Sequence, residues 1–196
     1  MTVNLTDVAK LRETCGAGMM DCKKALEEAN GDFDKAIEVL RKKGAATAAK
    51  RAERVAKEGI IVSYIHNGRI GALLELNCET DFVALNDDFK QLANDLVMHV
   101  AAANPEYVTP EDVPAEVVAK EREIEEAQLE GANKSKDVMD KILEGKIQKF
   151  YSRVCLTKQP FVKNLDLTVE DLINDKTASI GEKLVVRRFV RYELGK

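Results

Sequence analysis

The pair Asn67-Gly68 constrains this chain more than any other feature. Before it, Ile60, Val62 and Tyr64 alternate with Ile61, Ser63 and Ile65; after it, Ile70, Ala72, Leu74 and Leu76 run at the same period of two toward Cys78. A two-residue type I′ turn needs positive φ at both central positions, and Asn-Gly adopts that conformation readily, so the two runs are predicted to be the arms of a β-hairpin. A third alternating, β-branched run, Leu184 to Tyr192, is predicted to close the sheet.

Helical periodicity surrounds these strands. The first 44 residues read as a three-helix unit. Thr6 or Asp7 is expected to cap a helix carrying Val8 and Leu11, which breaks at Gly16-Ala17-Gly18. A second helix runs from Met20 through Leu26 and stops at Asn30-Gly31. A third, capped by Asp32, carries Phe33, Ala36, Ile37 and Leu40 on one stripe and is expected to end at Gly44. Residues 45–57, Ala-rich and basic, lack a broad apolar face and are predicted to form a solvated helical linker. RNA contact is the alternative there, and no interleaved aromatics support it.

Beyond the hairpin, Phe89, Leu92, Ala93, Leu96, Val97 and Val100 mark a long helix stopped by Asn104-Pro105. Residues 114–130 are highly charged with a narrow seam (Val117, Ile124, Gln128), which predicts an exposed helix or hairpin arm. A helix with Val138 and Ile142, an apolar segment from Ile147 to Val154, and Gln159-Pro160-Phe161-Val162 follow. The pattern is α+β: a small antiparallel sheet packed with helices. Two domains are expected, residues 1–54 and residues 55–196.

Composition narrows the function. A net charge of −4 argues against a general nucleic-acid binder, whose phosphate affinity depends on surplus Lys and Arg. The start MTVNLTDVAK has no basic segment followed by an apolar one, and no apolar run approaches the roughly 18 residues of a membrane span. Cys15, Cys22, Cys78 and Cys155 form no CxxC pair, so zinc spacing is missing; reduced, partly buried thiols in a cytoplasmic protein are expected. With two histidines, no third glycine after Gly16-Ala17-Gly18, and no GxxxxGK[ST], GxSxG or HExxH, neither a cofactor, a metal site nor an enzyme constellation is expected. The expected function is contact.

Three features are candidates for that contact. Met19-Met20 sits at the break between the first two helices: both fill gaps in a tiny core, or one is exposed as a pliable apolar contact. Asp81-Phe82 follows the second hairpin arm within Asn77-Cys78-Glu79-Thr80-Asp81-Phe82-Val83. Pattern alone favours Asp81 as a helix cap and Phe82 as a core ring; the other reading is a charge and a ring presented outward from a strand end. His99 lies beside the Leu92–Leu96 stripe, where most histidines are partly buried and hydrogen-bonded.

These segments also carry a resemblance. Leu11 to Glu13 with Gly16 to Leu26, then Asn77 to Ala84, Met98-His99-Val100-Ala101-Ala102 and Gln159 to Val162 resemble, in order and over essentially the whole chain, the motifs of the bacterial elongation factor Ts family. The resemblance implies a guanine-nucleotide exchange factor for elongation factor Tu, working by binding without covalent catalysis. It also implies an N-terminal three-helix domain like ubiquitin-associated domains. That domain would dock on the partner's GTPase domain through Met19, Met20 and Lys23. Thr80, Asp81, Phe82 and Val83 match the segment that intrudes near the partner's magnesium site, and His99 falls close to that interface. Cys15 stands where the family commonly carries Thr or Ser. Long members hold two core modules and a coiled-coil insertion; this chain shows one module, which implies a homodimer. The rival reading is a ubiquitin-associated-type binding module without exchange activity.

Overall fold

The structure, a computed structural model, describes residues 4–129 and 136–196; residue 130, at the end of the charged segment considered above, lies outside them. The chain divides into two units, Met1–Ala101 with Glu170–Lys196, and Ala102–Val169.

The first unit opens with α1 (Leu5–Cys15), α2 (Met19–Glu28) and α3 (Phe33–Arg51). Val8, Leu11, Cys22, Ala25, Leu26, Ala29, Ala36 and Leu40 bury one another, so the three short helices share a core of their own. Two details differ from expectation. Asn4, not Thr6 or Asp7, caps α1, its side-chain oxygen accepting from the Thr6 N–H at 3.2 Å. Gly44 does not end α3, which continues to Arg51 and takes in much of the expected linker. A Cβ at Gly44 would lie 3.1 Å from the Asp175 carboxylate and 3.5 Å from the Asn174 carbonyl oxygen, so this glycine serves close approach of a later helix instead of a stop.

The hairpin forms as its sequence predicts. β1 (Glu58–His66) and β2 (Ile70–Cys78) pair antiparallel with Ile60 opposite Leu76 and Tyr64 opposite Ala72. The turn residues Asn67 and Gly68 have φ of 50° and 66°. After β2 come α4 (Asp81–Ala84) and α5 (Asp87–Ala103), the latter burying Phe89, Leu92, Ala93, Leu96, Val97 and Val100 as its stripe predicts. Asn104 at its end has φ 50°.

In the second unit α6 (Ala115–Leu129) buries no residue fully, so of the two readings, exposed helix or hairpin arm, the helix is the one found. It lies along α7 (Lys136–Val154), with ion pairs Arg122–Glu144 (3.1 Å), Arg153–Glu121 (3.2 Å) and Lys146–Glu125. The helix and apolar segment read separately are this one helix α7. Val113, Phe150, Val154 and Cys155 form its core, and β3 (Pro160–Phe161) and β4 (Asn164–Thr168) make a short antiparallel pair.

The chain then re-enters the first unit through α8 (Val169–Ile180), an element the sequence reading did not anticipate, and ends in β5 (Val185–Glu193). β5 pairs antiparallel with β2, giving the order β1-β2-β5 with an irregularity at Glu75/Leu76. Arg191 Nε donates to the Ala101 carbonyl at 3.1 Å and ties this strand to the end of α5. The fold is α+β.

Candidate functional site

The site is built from the end of β2. Cys78 is buried; its thiol, pushed up to about 11 by burial and by the Glu182 carboxylate, stays protonated and donates to the Thr80 carbonyl at 3.1 Å. Thr80 has extended backbone (φ −129°, ψ 155°) and occupies the cap position of α4. The expected cap, Asp81, is instead a first-turn residue, and Thr80 does not cap with its side chain either. Its hydroxyl donates to Glu182 Oε1 at 2.7 Å.

One helical turn then decides what faces out. Ala84 is buried, Val83 is half-buried, and Phe82 is 81% exposed. The core-ring reading of Phe82 therefore fails: Ala84 is the residue this turn buries, and the ring lies on its exposed side. Asp81 beside it is also exposed.

The mount beneath the ring is closely bonded. Glu182 Oε2 accepts the backbone N–H groups of Glu79 (3.1 Å) and Thr80 (3.0 Å). Glu79 Oε1 in turn accepts the Lys183 N–H at 2.7 Å, so Glu182 holds the backbone of residues 79 and 80 while Glu79 holds the residue after Glu182. Arg51 Nη1 (3.1 Å) and Arg54 Nη1 (2.9 Å) complete the shell around Glu79, and Lys183 Nζ donates to the Ala52 and Arg54 carbonyls at 2.6 and 3.0 Å. Burial of Glu79 by itself would raise its pKa; the Lys183 amide, Arg54 and Arg51 more than offset this and hold the carboxyl below its usual range.

Met19 and Met20, at the start of α2, are 43% and 63% exposed, so neither is a core filler. Lys23 is exposed one turn on, 3.8 Å from Glu27. His99 is not at the edge of its stripe as expected; it is fully buried within α5. Among the described residues no group of three His, Cys, Asp or Glu side chains is placed to hold a metal, and no helix is long and apolar enough to cross a membrane.

The family model described as elongation factor TS matches residues 18–196. The chain belongs to the elongation factor Ts family. It is 63% identical over 190 residues to an elongation factor Ts of Moorella thermoacetica, covering 96% of this chain and 94% of that protein. It is 60% identical to one of Carboxydothermus hydrogenoformans (96% and 87% covered), and 56% identical over the whole of both chains to one of Fervidobacterium nodosum. As a member of the elongation factor Ts family it is a translation elongation factor of protein biosynthesis. Arg51, Arg54, Glu182 and Lys183, which hold the 78–82 segment, were not singled out from sequence. Pairings across more than a hundred positions, such as Thr80 with Glu182, leave no local periodicity to find.

Proposed function

We propose that this chain is a guanine-nucleotide exchange factor for elongation factor Tu, with Phe82 as the wedge. The observation that carries this reading is the exposure of the ring, 81%, on a one-turn helix whose base is pinned by side-chain-to-backbone hydrogen bonds. Family membership supports the choice of partner. Exchange needs no covalent chemistry and no cofactor of its own, so the chain acts as a binder and not as an enzyme; as a translation elongation factor its place in this reading is the cytoplasm. A factor that binds the nucleotide-free GTPase more tightly than the GDP form must weaken GDP binding by the same factor. Much of the nucleotide's hold comes from Mg²⁺ bridging its phosphate oxygens and from phosphate-loop amides. Phe82 inserted between the elements that carry these groups would displace them; the Asp81 carboxylate would repel the nucleotide's phosphates, Thr80 and Val83 would flank the insertion, and the nucleotide would leave. Differential binding of about 4 kcal/mol corresponds to roughly a thousandfold in nucleotide affinity.

Met19, Met20 and Lys23 are the second contact in this reading, an adaptable apolar pair beside a cation on the three-helix domain of residues 1–54. His99, being buried, acts through the packing of α5 and not by touching the partner. A homodimer is the expected state of the chain: Ile61, Ile65, Leu73, Val190 and Tyr192 are exposed on one face of the sheet, and that face suits a second copy.

The test is release of a fluorescent GDP analogue from elongation factor Tu. Phe82→Ala is expected to stay folded by circular dichroism and to lose about 2 kcal/mol or more of the acceleration, roughly thirtyfold. A folded variant as fast as wild type would falsify the wedge. The rival, a binding module without exchange, predicts that residues 1–54 alone reproduce every effect of the chain on the GTPase.

A further inference from the structure

Two carboxylates below the ring are used in an unusual way. Glu182 spends both oxygens on one short segment: Oε2 receives the amides of Glu79 and Thr80, and Oε1 receives the Thr80 hydroxyl. Glu79 returns the grip on the Lys183 amide at 2.7 Å and is itself held by Arg51 and Arg54, from the last turn of α3 and the residues after it. The bonds from Glu182 and to Lys183 span 102 to 104 positions of sequence, those from Arg51 and Arg54 span 28 and 25, and all meet where the chain leaves β2 for α4. A strand end and one isolated turn have few hydrogen bonds of their own, so without such a clamp the direction of a side chain at position 82 is poorly determined. The clamp supplies acceptors for two amides that neither β2 nor α4 satisfies.

We propose that Glu182 and Glu79 are positioning residues for nucleotide exchange, a reciprocal carboxylate clamp that fixes the 78–82 segment and so aims Phe82. The proposal rests on the exchange reading given above. Neither carboxylate touches the partner in this role; both act through the backbone that carries the ring. Arg51, Arg54 and Lys183 extend the clamp to the end of α3, so the helix that closes the three-helix unit and the ring-bearing turn share one anchor.

Geometry makes the clamp separable from charge. Gln at 182 keeps the length and the acceptor oxygen for the two amides, and its NH₂ group donates to the Thr80 hydroxyl oxygen in place of accepting from it. Asp keeps the charge but is one methylene too short to reach both amides and the hydroxyl. The experiment uses the full chain and elongation factor Tu loaded with a fluorescent GDP analogue, reading the maximal release rate and the factor concentration at half-maximal effect. Glu182→Ala and Glu182→Asp are expected to lower the maximal rate roughly tenfold to a hundredfold, the scale of a misplacement of about 1 Å, while the half-maximal concentration changes little. Glu182→Gln, which keeps an acceptor for both amides and a hydrogen bond to the hydroxyl, is expected to stay much closer to wild type than either. Amide exchange at Glu79 and Thr80 in the free chain should accelerate in the Ala and Asp variants and not in Gln.

If Glu182→Asp matches wild type and Glu182→Gln is the slow variant, charge and not aim is what matters, and the clamp is wrong. Unchanged exchange kinetics in Glu182→Ala, with the amides at 79 and 80 still protected, overturns it too. Phe82→Ala is run alongside as the reference: a normal rate in that variant removes the exchange reading itself, whereas a slow Phe82→Ala with a fast Glu182→Asp removes the clamp alone. Should Glu182→Ala melt below the assay temperature, the contrast between the Asp and Gln variants carries the same decision.

Discussion

Glu79 and Phe82 lie three positions apart and meet opposite fates. The carboxylate, 16% exposed, is enclosed by two guanidinium groups and an amide; the ring is bare. A covered charge persists only where partners replace its water, and Glu79 has three. Leaving a Phe in water forgoes about 1.5–3 kcal/mol of burial. Asp175 is a different kind of covered carboxylate. Burial, with Asp171 adding to it and Arg41 opposing it, raises its pKa to about 6. The folded chain therefore keeps a proton on Asp175 between about pH 4 and pH 6, where the unfolded chain has released it, and stability from this group falls as pH rises through that window. Asp175→Asn should abolish that fall and stabilise the protein at pH 7 by on the order of 1–2 kcal/mol, a figure reduced for solvent screening. Urea denaturation at pH 4.5 and pH 7 checks this; an identical pH slope in the variant would refute it.

At the scale of elements, the hairpin and its exit are set by glycine as much as by apolar alternation. Gly59 has φ 153°, and a Cβ there would overlap the Leu76 carbonyl oxygen and lie 2.8 Å from Asn77 Cα. Backbone atoms of a paired strand cannot give way as a flexible side chain can. Gly59→Ala is expected to cost about 2–4 kcal/mol in thermal or chemical unfolding, because the conformation disfavours an L side chain and the register opposite Asn77 must shift. Loss of less than about 0.5 kcal/mol would show that the strand end adapts freely. Gly44 works differently: it sits in mid-helix, where propensity alone reads it as a stop, and α8 decides otherwise by packing against that position. α8 itself was not read from sequence, although Val169, Ile173 and Thr177 are its buried, four-residue-spaced positions.

At the scale of the whole molecule, one face of the sheet carries an exposed apolar patch. Ile61 and Ile65 on β1, Leu73 on β2, and Val190 and Tyr192 on β5 share that face by register, with the Glu75–Arg188 ion pair (2.7 Å) among them. In the proposed homodimer, Leu73→Glu places a charge at the middle of the buried face and should weaken association by about 3 kcal/mol or more, roughly a hundredfold. Sedimentation velocity reads this directly. A wild-type chain that sediments as a monomer, or a variant that still dimerises like wild type, rules out this face as the interface.

Local pattern was enough for the three helices of the N-terminal core, the β1-β2 turn, the α5 stripe and the closing strand, because each depends on side chains two, three or four positions apart. It also marked Asp81-Phe82 and Met19-Met20 as candidates for contact, while Thr80 and Val83 came only from the family resemblance. It favoured the core for Phe82, and the ring is exposed: α4 is a single turn, too short for a period to define a face. It did not show that Gly44 is a packing position, that His99 is fully enclosed, or that Glu182 holds the backbone of residues 79 and 80. Those outcomes depend on groups brought together from distant parts of the chain, and so packing decided them.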